Sequence, residues 1–302
     1  MSNSHGERFS GHESFVCRYG WLPKVFKAVN TDAGVLRNEE RAMSVLGIGR
    51  NMVKSIQFWA EASGILRLAE SAGHSAGPIG ATLFGPDAWD PYLESLESLW
   101  LIHWWLCTKA GLAAWNIVFG EGQIIRFERQ NLVATLAQRG RGFARPLAVG
   151  TLEQHASIFI QSYYQAERGT DDTSWCPLQD LGLIKATKNE NGGNLYSTDA
   201  VAPVGLSPRV FGVALIAFLA QQGNGTWTAD LHSVLKGEYS PGIIFRLDEY
   251  QLRQFIESAI SGPFEASLRF VDTADTQSVV LDPDRLEPQY RHWVQQEALK
   301  YA

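Results

Sequence analysis

The sequence predicts a mainly α-helical α+β protein in which small β-hairpins accompany the helices. Apolar residues recur at helical spacing over most of the chain, a glycine turn separates two of these stretches, and short apolar strands flank glycine-rich loops. Length alone suggests about two domains for 302 residues. The pattern itself predicts three parts: a winged helix-turn-helix domain over 1–90, a helical domain over 91–170, and a second winged-helix-like element with a mixed α+β part over 171–302.

Two helices around the glycine turn GIG are predicted near the N-terminus. Asn38 is placed to cap the first helix, whose apolar face comprises Ala42, Val45 and Leu46. The second helix follows as RNMVKSIQFWAEAS. After it, GILRLAESAGHSAGPIGATLFG predicts a short strand, a glycine- and serine-rich loop and another short strand. This order is typical of a winged helix-turn-helix.

The outward face of the second helix is predicted to bind double-stranded DNA. Arg50, Lys54 and Gln57 share this face and Asn51 lies beside the helix start. Cations bind phosphates and side-chain amides bind base edges. Residues 1–70 also contain nine Lys and Arg against seven Asp and Glu, whereas the whole chain carries −6. A solvated surface helix would carry the same residue types, so that alternative stays open.

The segment RFSGHESFVCRYGWLPK, which precedes these helices, is the candidate catalytic site. His12 would supply a base and Glu13 a metal-binding carboxylate, with Asp32 as a second oxygen ligand. Arg18 would stabilise the charge of a phosphodiester. The cofactor expected for such a site is a divalent metal ion, Mg²⁺ or Mn²⁺.

The same segment offers groups for DNA binding. Arg18 and Lys24 are cations for phosphate, and Tyr19 and Trp21 present rings on which a base can stack. The structural alternative is that Glu13 and Arg18 form a local ion pair while the aromatic residues cover the helix-turn-helix core.

Several protein classes are excluded by the motifs that the sequence lacks. It contains no GxxxxGK[ST], GxGxxG, HExxH or GxSxG pattern and no paired-histidine nuclease run, so we expect no nucleotide cofactor. Three widely separated cysteines predict neither disulfides nor a zinc site and favour a reducing cytoplasm. The N-terminus lacks the apolar core of a signal peptide, and the apolar stretches are too short to span a membrane.

The middle and C-terminal parts are predicted from periodicity. A helix over Pro91–Leu106 carries His103, whose apolar neighbours indicate a hydrogen-bonded core histidine rather than a ligand. Glu153 and His155 lie on another helix, but residues two apart do not face each other. A short helix over Pro177–Leu181 leads to a strand over Leu183–Ala186 and an Asn-Gly-Gly turn. Helices, a strand pair and a final helix are predicted beyond residue 207.

Three stretches and a short fourth one carry a resemblance to a known family. They are GHESF…RYGWLPK, LGIGRNMVKSIQFWAEASG, PYLESLESLWLIHWWL and CPLQDLGLI. Over residues 8–200 the chain resembles the SspB-like family of the bacterial DNA phosphorothioation defence systems. The resemblance implies a cytoplasmic protein that works with a cysteine desulfurase, an ATPase and an ATP-pyrophosphatase-like sulfurtransferase, and that nicks one DNA strand for sulfur insertion. It supplies no catalytic motif.

Three functions remain open at this point. The first is a DNA-binding, metal-dependent nickase of a phosphorothioation system. The second is a non-catalytic winged-helix adaptor that recognises DNA and recruits the sulfur-transfer proteins, in which His12 and Glu13 are structural. The third is a transcriptional regulator.

Overall fold

The computed structural model describes residues 6–69, 73–143, 146–164, 175–199, 202–222, 227–273 and 275–298. The chain forms two compact units. The first comprises Met1–Val118 and Ile124–Asp199, and the second comprises Phe119–Gln123 and Ala200–Ala302. The predicted division at residues 90 and 170 stays a prediction.

The first unit begins with three helices and a hairpin. The helices are α1 (Trp21–Thr31), α2 (Glu39–Leu46) and α3 (Arg50–Ala62), and the hairpin strands are β1 (Leu66–Ala69) and β2 (Gly73–Ala76). The hairpin is antiparallel, with Leu66 opposite Ala76. The next residues form α4 (Pro78–Phe84). The order helix, glycine turn, helix, hairpin is present, but β2 lies in the segment predicted as the glycine- and serine-rich loop, and the segment predicted as the second strand forms α4 instead. The winged-helix assignment stays a prediction.

The N-cap of α2 is the predicted one, but one residue of the predicted apolar face of this helix is exposed. The Asn38 side chain accepts a hydrogen bond from the backbone N–H of Arg41, as expected of an N-cap. Ala42 and Leu46 are fully buried. Val45 is 52% exposed, so the prediction that it belongs to the buried face is wrong. Helical spacing places it beside the buried stripe, but α1 and α3 do not cover it.

The middle of the first unit is helical. It contains α5 (Leu96–Thr108), α6 (Ala113–Trp115), α7 (Arg129–Arg139) and α8 (Val149–Tyr163). Helix α5 begins at its N-cap Ser95, not at residue 91 as predicted. The reason is the Asp90 carboxylate, which accepts the backbone N–H groups of Glu94 and Ser95 and holds the preceding residues in a turn.

A second, three-stranded sheet completes the first unit. A 3₁₀ helix over Pro177–Leu181 leads into β4 (Lys185–Lys188), which pairs with β5 (Asn194–Ser197) through the predicted Asn-Gly-Gly turn. The first strand starts two residues later than predicted. A short strand that was not predicted, β3 (Arg126–Phe127), pairs with β5 on its other side.

The second unit contains a three-stranded antiparallel sheet and five α-helices within its described residues. The strands are β6 (Thr228–Asp230), β7 (Leu268–Asp272) and β8 (Gln277–Leu281), in the order β6-β8-β7. The helices are α9 (Pro208–Gln221), α10 (Leu231–Lys236), α11 (Pro241–Ile244), α12 (Glu249–Ile260) and α13 (Pro288–Ala298). The strand pair β7-β8 and the final helix were predicted, whereas β6 was not. Within the described ranges, every helix is too short or too polar to cross a bilayer.

Candidate functional site

Residues 8–19, which we call the N-terminal strap, lie along α3. The hydroxyl of Ser55 donates a hydrogen bond to the carbonyl of His12 at 3.0 Å, and the indole N–H of Trp59 donates one to the carbonyl of Phe15 at 2.9 Å. Gly11 has a φ of +111°, and a Cβ there would lie 2.7 Å from the ring of Phe58. The glycine of GHESF is therefore needed for the strap to approach α3 this closely.

His12 is buried beneath the strap and pairs with His155 of α8. The two rings are stacked with centroids 5.3 Å apart, and His12 Nε2 lies 3.1 Å from His155 Nδ1. The backbone N–H of Ala114 lies 3.2 Å from His155 Nε2 and can only donate. His155 Nδ1 therefore carries the proton and donates to His12 Nε2, and His12 Nδ1–H donates to the carbonyl of Glu13 at 2.8 Å.

This chain of hydrogen bonds requires both imidazoles to be neutral. Burial, and to a smaller extent the nearby His12, lower the pKa of His155 to about 3. Burial also lowers the pKa of His12. Both ring nitrogens of His12 have protein partners, and only 2% of its surface is exposed. This placement favours the structural alternative for His12 over a role as the base that activates water.

Glu13 is the exposed residue of the predicted catalytic pair. Its φ of +52° lies in the left-handed region that residues other than glycine rarely adopt. The backbone is held there because the Glu13 carbonyl accepts hydrogen bonds from His12 and from the side-chain amide of Gln154 at 2.6 Å. The carboxylate itself is exposed to solvent.

Arg18 and Tyr19 are held against the protein by different contacts. The guanidinium of Arg18 lies over the rings of Phe15 and Trp21, 5.4 and 5.7 Å from their centroids. Tyr19 is 45% exposed, and its hydroxyl donates a hydrogen bond to the carbonyl of Leu93 at 3.3 Å. Within the described chain, Glu13 and Arg18 form no ion pair, so the local pair considered in the structural alternative is absent.

The outer face of α3 presents the residues predicted to bind DNA. Arg50, Asn51 and Lys54 are exposed, whereas the opposite side of the helix is buried. The guanidinium of Arg50 also contacts the carboxylate of Glu39 on α2 at 3.1 Å, with both groups open to solvent. An exposed ion pair of this kind is weak, so the guanidinium can exchange its partner for a phosphate.

Gln57, the fourth residue predicted on this face, is only half-exposed and has a partner within α3. Its amide donates to the carboxylate of Glu61 at 2.9 Å, and His74 of β2 contacts the same oxygen at 2.9 Å. Burial opposes ionisation of Glu61, but the hydrogen bonds from His74 and Gln57 outweigh it and lower the pKa of the carboxyl. Glu61 thus connects α3 to the hairpin through His74, and Gln57 donates to the same carboxylate from within α3.

The two residues predicted as metal ligands, Glu13 and Asp32, differ in whether their carboxylates are free to bind an ion. The Asp32 carboxylate contacts the guanidinium of Arg41 at 2.7 Å and accepts the backbone N–H of Gly34. Among the described residues, no group of three or more His, Cys, Asp or Glu side chains is arranged to hold an ion. Of the two carboxylates, only that of Glu13 is exposed and without an ion-pair partner among the described residues.

The partner of His12 was not predicted from the sequence. Glu153 was the possible polar neighbour of His155, whereas the structure gives that histidine a partner 143 residues away in sequence. The only signal for it was a histidine in an otherwise apolar helix face. His103, by contrast, is the hydrogen-bonded core histidine that was predicted: it is fully buried and lies 2.8 Å from the hydroxyl of Tyr163.

Comparison with known proteins places the chain in a family. A family model described as protein of unknown function (DUF4007) matches residues 9–297. The chain belongs to the DUF4007 family. No curated protein matches it.

Two solved structures share its fold. One, "Magnesium ion-bound SspB crystal structure", is 21% identical, with a TM-score of 0.81 over 98% of this chain and 97% of that one. Another, "SspB crystal structure", is 22% identical, with a TM-score of 0.82 over 98% of this chain and 88% of that one. The resemblance inferred from the sequence to the SspB-like family is thereby confirmed, and the similarity extends through the C-terminal part that the sequence motifs did not reach.

Proposed function

We propose that this DUF4007 protein is a DNA-binding component of a bacterial DNA phosphorothioation system, and that the outer face of α3 contacts double-stranded DNA. The observation that carries the proposal is the exposure of Arg50, Asn51 and Lys54 together on one face of a helix whose other face is buried. The shared fold with the SspB structures supports the choice of system. The cysteine desulfurase, the ATPase and the sulfurtransferase of such a system are its proposed partners.

Each exposed residue has a distinct role in this proposal. Arg50 and Lys54 neutralise phosphates, and Asn51, at the beginning of the helix, has the amide geometry for a base edge. Arg67 on β1 is an additional exposed cation, beside Ser75 of the paired strand. Arg67 was not among the residues predicted to bind DNA, although its position in a predicted strand after the second helix was a usable signal.

Binding of duplex DNA, measured by fluorescence anisotropy at several salt concentrations, tests the proposal. Lys54→Ala is expected to weaken binding and to reduce the slope of log affinity against log salt by about one, because one phosphate contact is lost. Lys185→Ala, which removes an exposed lysine of β4, is the matched control and should leave affinity and slope nearly unchanged. If both variants bind like the unmodified chain, α3 is not the DNA-contacting helix.

We also propose, as a second candidate, that Glu13 serves a metal-dependent nicking activity. Two observations favour it: an exposed carboxylate and a left-handed backbone, since strained conformations cluster at functional sites. Arg18 is the cation proposed to act beside it. His12 is kept in the proposal as the buried residue that positions the Glu13 carbonyl. Asp32 is not carried forward, because Arg41 occupies its carboxylate.

The nicking assay uses supercoiled plasmid with Mg²⁺ or Mn²⁺, with and without a chelator. A metal-dependent open-circle product that disappears in Glu13→Gln but persists in the Glu40→Gln control supports the nicking activity. Glutamine is chosen because it leaves the backbone strain at position 13 unchanged. Absence of nicking at every metal concentration, together with DNA binding that depends on Lys54, supports the non-catalytic adaptor instead.

A further inference from the structure

A groove with an apolar floor lies between α1 and α2, apart from the outer face of α3. It encloses a cavity of about 320 Å³, at the lower end of the range for ligand-binding pockets. Ala28, Val35 and Leu46 contribute to its floor. Aliphatic side chains of this kind fit one or two apolar groups of a ligand.

The rim of this α1–α2 groove is cationic. Lys24, Lys27 and Arg41 line it, and among the described residues Asp32 is the single acidic one of the lining. Arg41 and Asp32 neutralise each other at 2.7 Å. Lys24 and Lys27 are exposed and, in the part of the chain that the structure describes, have no acidic partner. The groove therefore carries a net positive charge that an acidic ligand would neutralise.

Val45 adds an exposed apolar residue to the same groove. Its place in the sequence predicted a buried side chain, yet 52% of it is exposed where it lines the cavity. An apolar side chain that is left uncovered at the edge of a cationic groove gains free energy when a partner covers it.

We propose that the α1–α2 groove binds an acidic peptide segment of a partner protein. One or two aliphatic side chains of the segment lie on the floor beside Val45, and its carboxylates pair with Lys24 and Lys27. Lys24, which was predicted to bind DNA, then contacts a protein partner instead, and this interaction is separate from the proposed function.

A single-stranded nucleic acid fits this lining less well. Bases bind such grooves by stacking on aromatic rings or on free guanidinium planes. In the described part of the chain the lining contains no aromatic residue, and its one guanidinium, that of Arg41, is held by Asp32. The aliphatic floor instead matches the side chains of a peptide.

Selection from a random peptide library displayed on phage tests the proposal with the full chain as bait. The Lys24→Glu/Lys27→Glu double variant serves as the counter-selection. We expect the enriched peptides to combine acidic and aliphatic residues. The affinity of the best peptide, made with a fluorescent label, is then measured by anisotropy. Compared with the unmodified chain, the double variant should bind it at least about tenfold more weakly, and Val45→Asp about tenfold more weakly.

The control is Lys54→Glu, which makes the same kind of charge change on α3. It should leave peptide affinity unchanged while weakening duplex DNA binding, so failure of the groove and failure of the DNA interface are distinguishable. The proposal is overturned if no acidic peptide is enriched over the counter-selection. It is also overturned if a single-stranded oligonucleotide displaces the peptide, or if Lys54→Glu weakens peptide binding as much as the double variant does.

Discussion

At the scale of single residues, Gly11 and the His12–His155 pair hold the N-terminal strap to the helices beneath it. Neither contact uses a charge at neutral pH. The strap depends on the lack of a side chain at one position and on two correctly oriented neutral imidazoles, and both requirements can be tested by substitution or by pH.

Gly11→Ala is expected to lower the free energy of unfolding by about 1–3 kcal/mol. The methyl group would meet the Phe58 ring at 2.7 Å, and the φ of +111° is strained for alanine. Gly6→Ala is the control, because a Cβ at that glycine meets no atom within 4 Å. Urea denaturation of both variants measures the difference; equal stabilities would show that the strap is not held closely against Phe58.

Acid is expected to destabilise the fold through His155. Its folded pKa of about 3 lies below the unfolded value, so the unfolded chain binds the proton first. Stability is therefore complete above about pH 6.5 and falls as the pH decreases toward 3. Between pH 7 and pH 5 the loss from this one histidine is about 2 kcal/mol.

Urea denaturation at a series of pH values measures this loss, with His155→Gln as the comparison. The variant is less stable at pH 7 but should show a smaller decrease between pH 7 and pH 5. His12 contributes in the same direction, because its pKa is also lowered by burial. Parallel pH profiles for the two proteins would show that His155 titrates normally in the folded state.

At the scale of elements, the asparagines near the N-termini of α2 and α3 have different roles. One caps its helix and stabilises it, and the other does not. Asn38 caps α2, whereas Asn51 lies in the first turn of α3, whose N-cap position is Gly49. The same residue type therefore has different consequences in two adjacent helices.

Asn38→Ala should lower the free energy of unfolding by about 1 kcal/mol, because the Arg41 N–H loses its acceptor. Asn51→Ala should change stability by less than about 0.5 kcal/mol while altering duplex DNA binding. Thermal unfolding and anisotropy on both variants check the pair. A large stability loss in Asn51→Ala, or a DNA defect confined to Asn38→Ala, would contradict this division.

At the scale of the molecule, the second unit is completed by a segment from the middle of the chain. Residues 119–123 belong with 200–302 although they lie in sequence between the two pieces of the first unit. Within the second unit, the backbone N–H of Tyr239 donates to the carbonyl of Gly120, and the guanidinium of Arg246 lies over the Phe119 ring, 5.3 Å from its centroid.

Phe119→Ala is expected to cost about 3–5 kcal/mol of stability, because a fully buried ring is removed. Tyr250→Ala is the matched control in the same unit: its ring is 70% exposed, and its loss should cost less than about 1 kcal/mol. Denaturant unfolding monitored by circular dichroism compares the two. A similar small loss in both variants would show that residues 119–123 do not stabilise the second unit.

The sequence by itself determined the features that depend on local spacing. Four such features rest on residues that are close in the chain, so periodicity and turn chemistry suffice to predict them. They are the N-cap of α2, the glycine turn before α3, the exposed cationic face of α3 and the β7-β8 pair. The family resemblance followed from the same local motifs.

Only the tertiary structure decided which residues meet across long separations. The stacking of His12 on His155, the addition of β3 and β6 to predicted strand pairs, and the exposure of Val45 depend on how distant segments pack. Contacts between residues that are far apart in the chain produce no regular spacing in the sequence from which they could be predicted. That is why the GHESF histidine, a plausible base by composition, is buried in the fold, and why a valine expected in the core lines a groove.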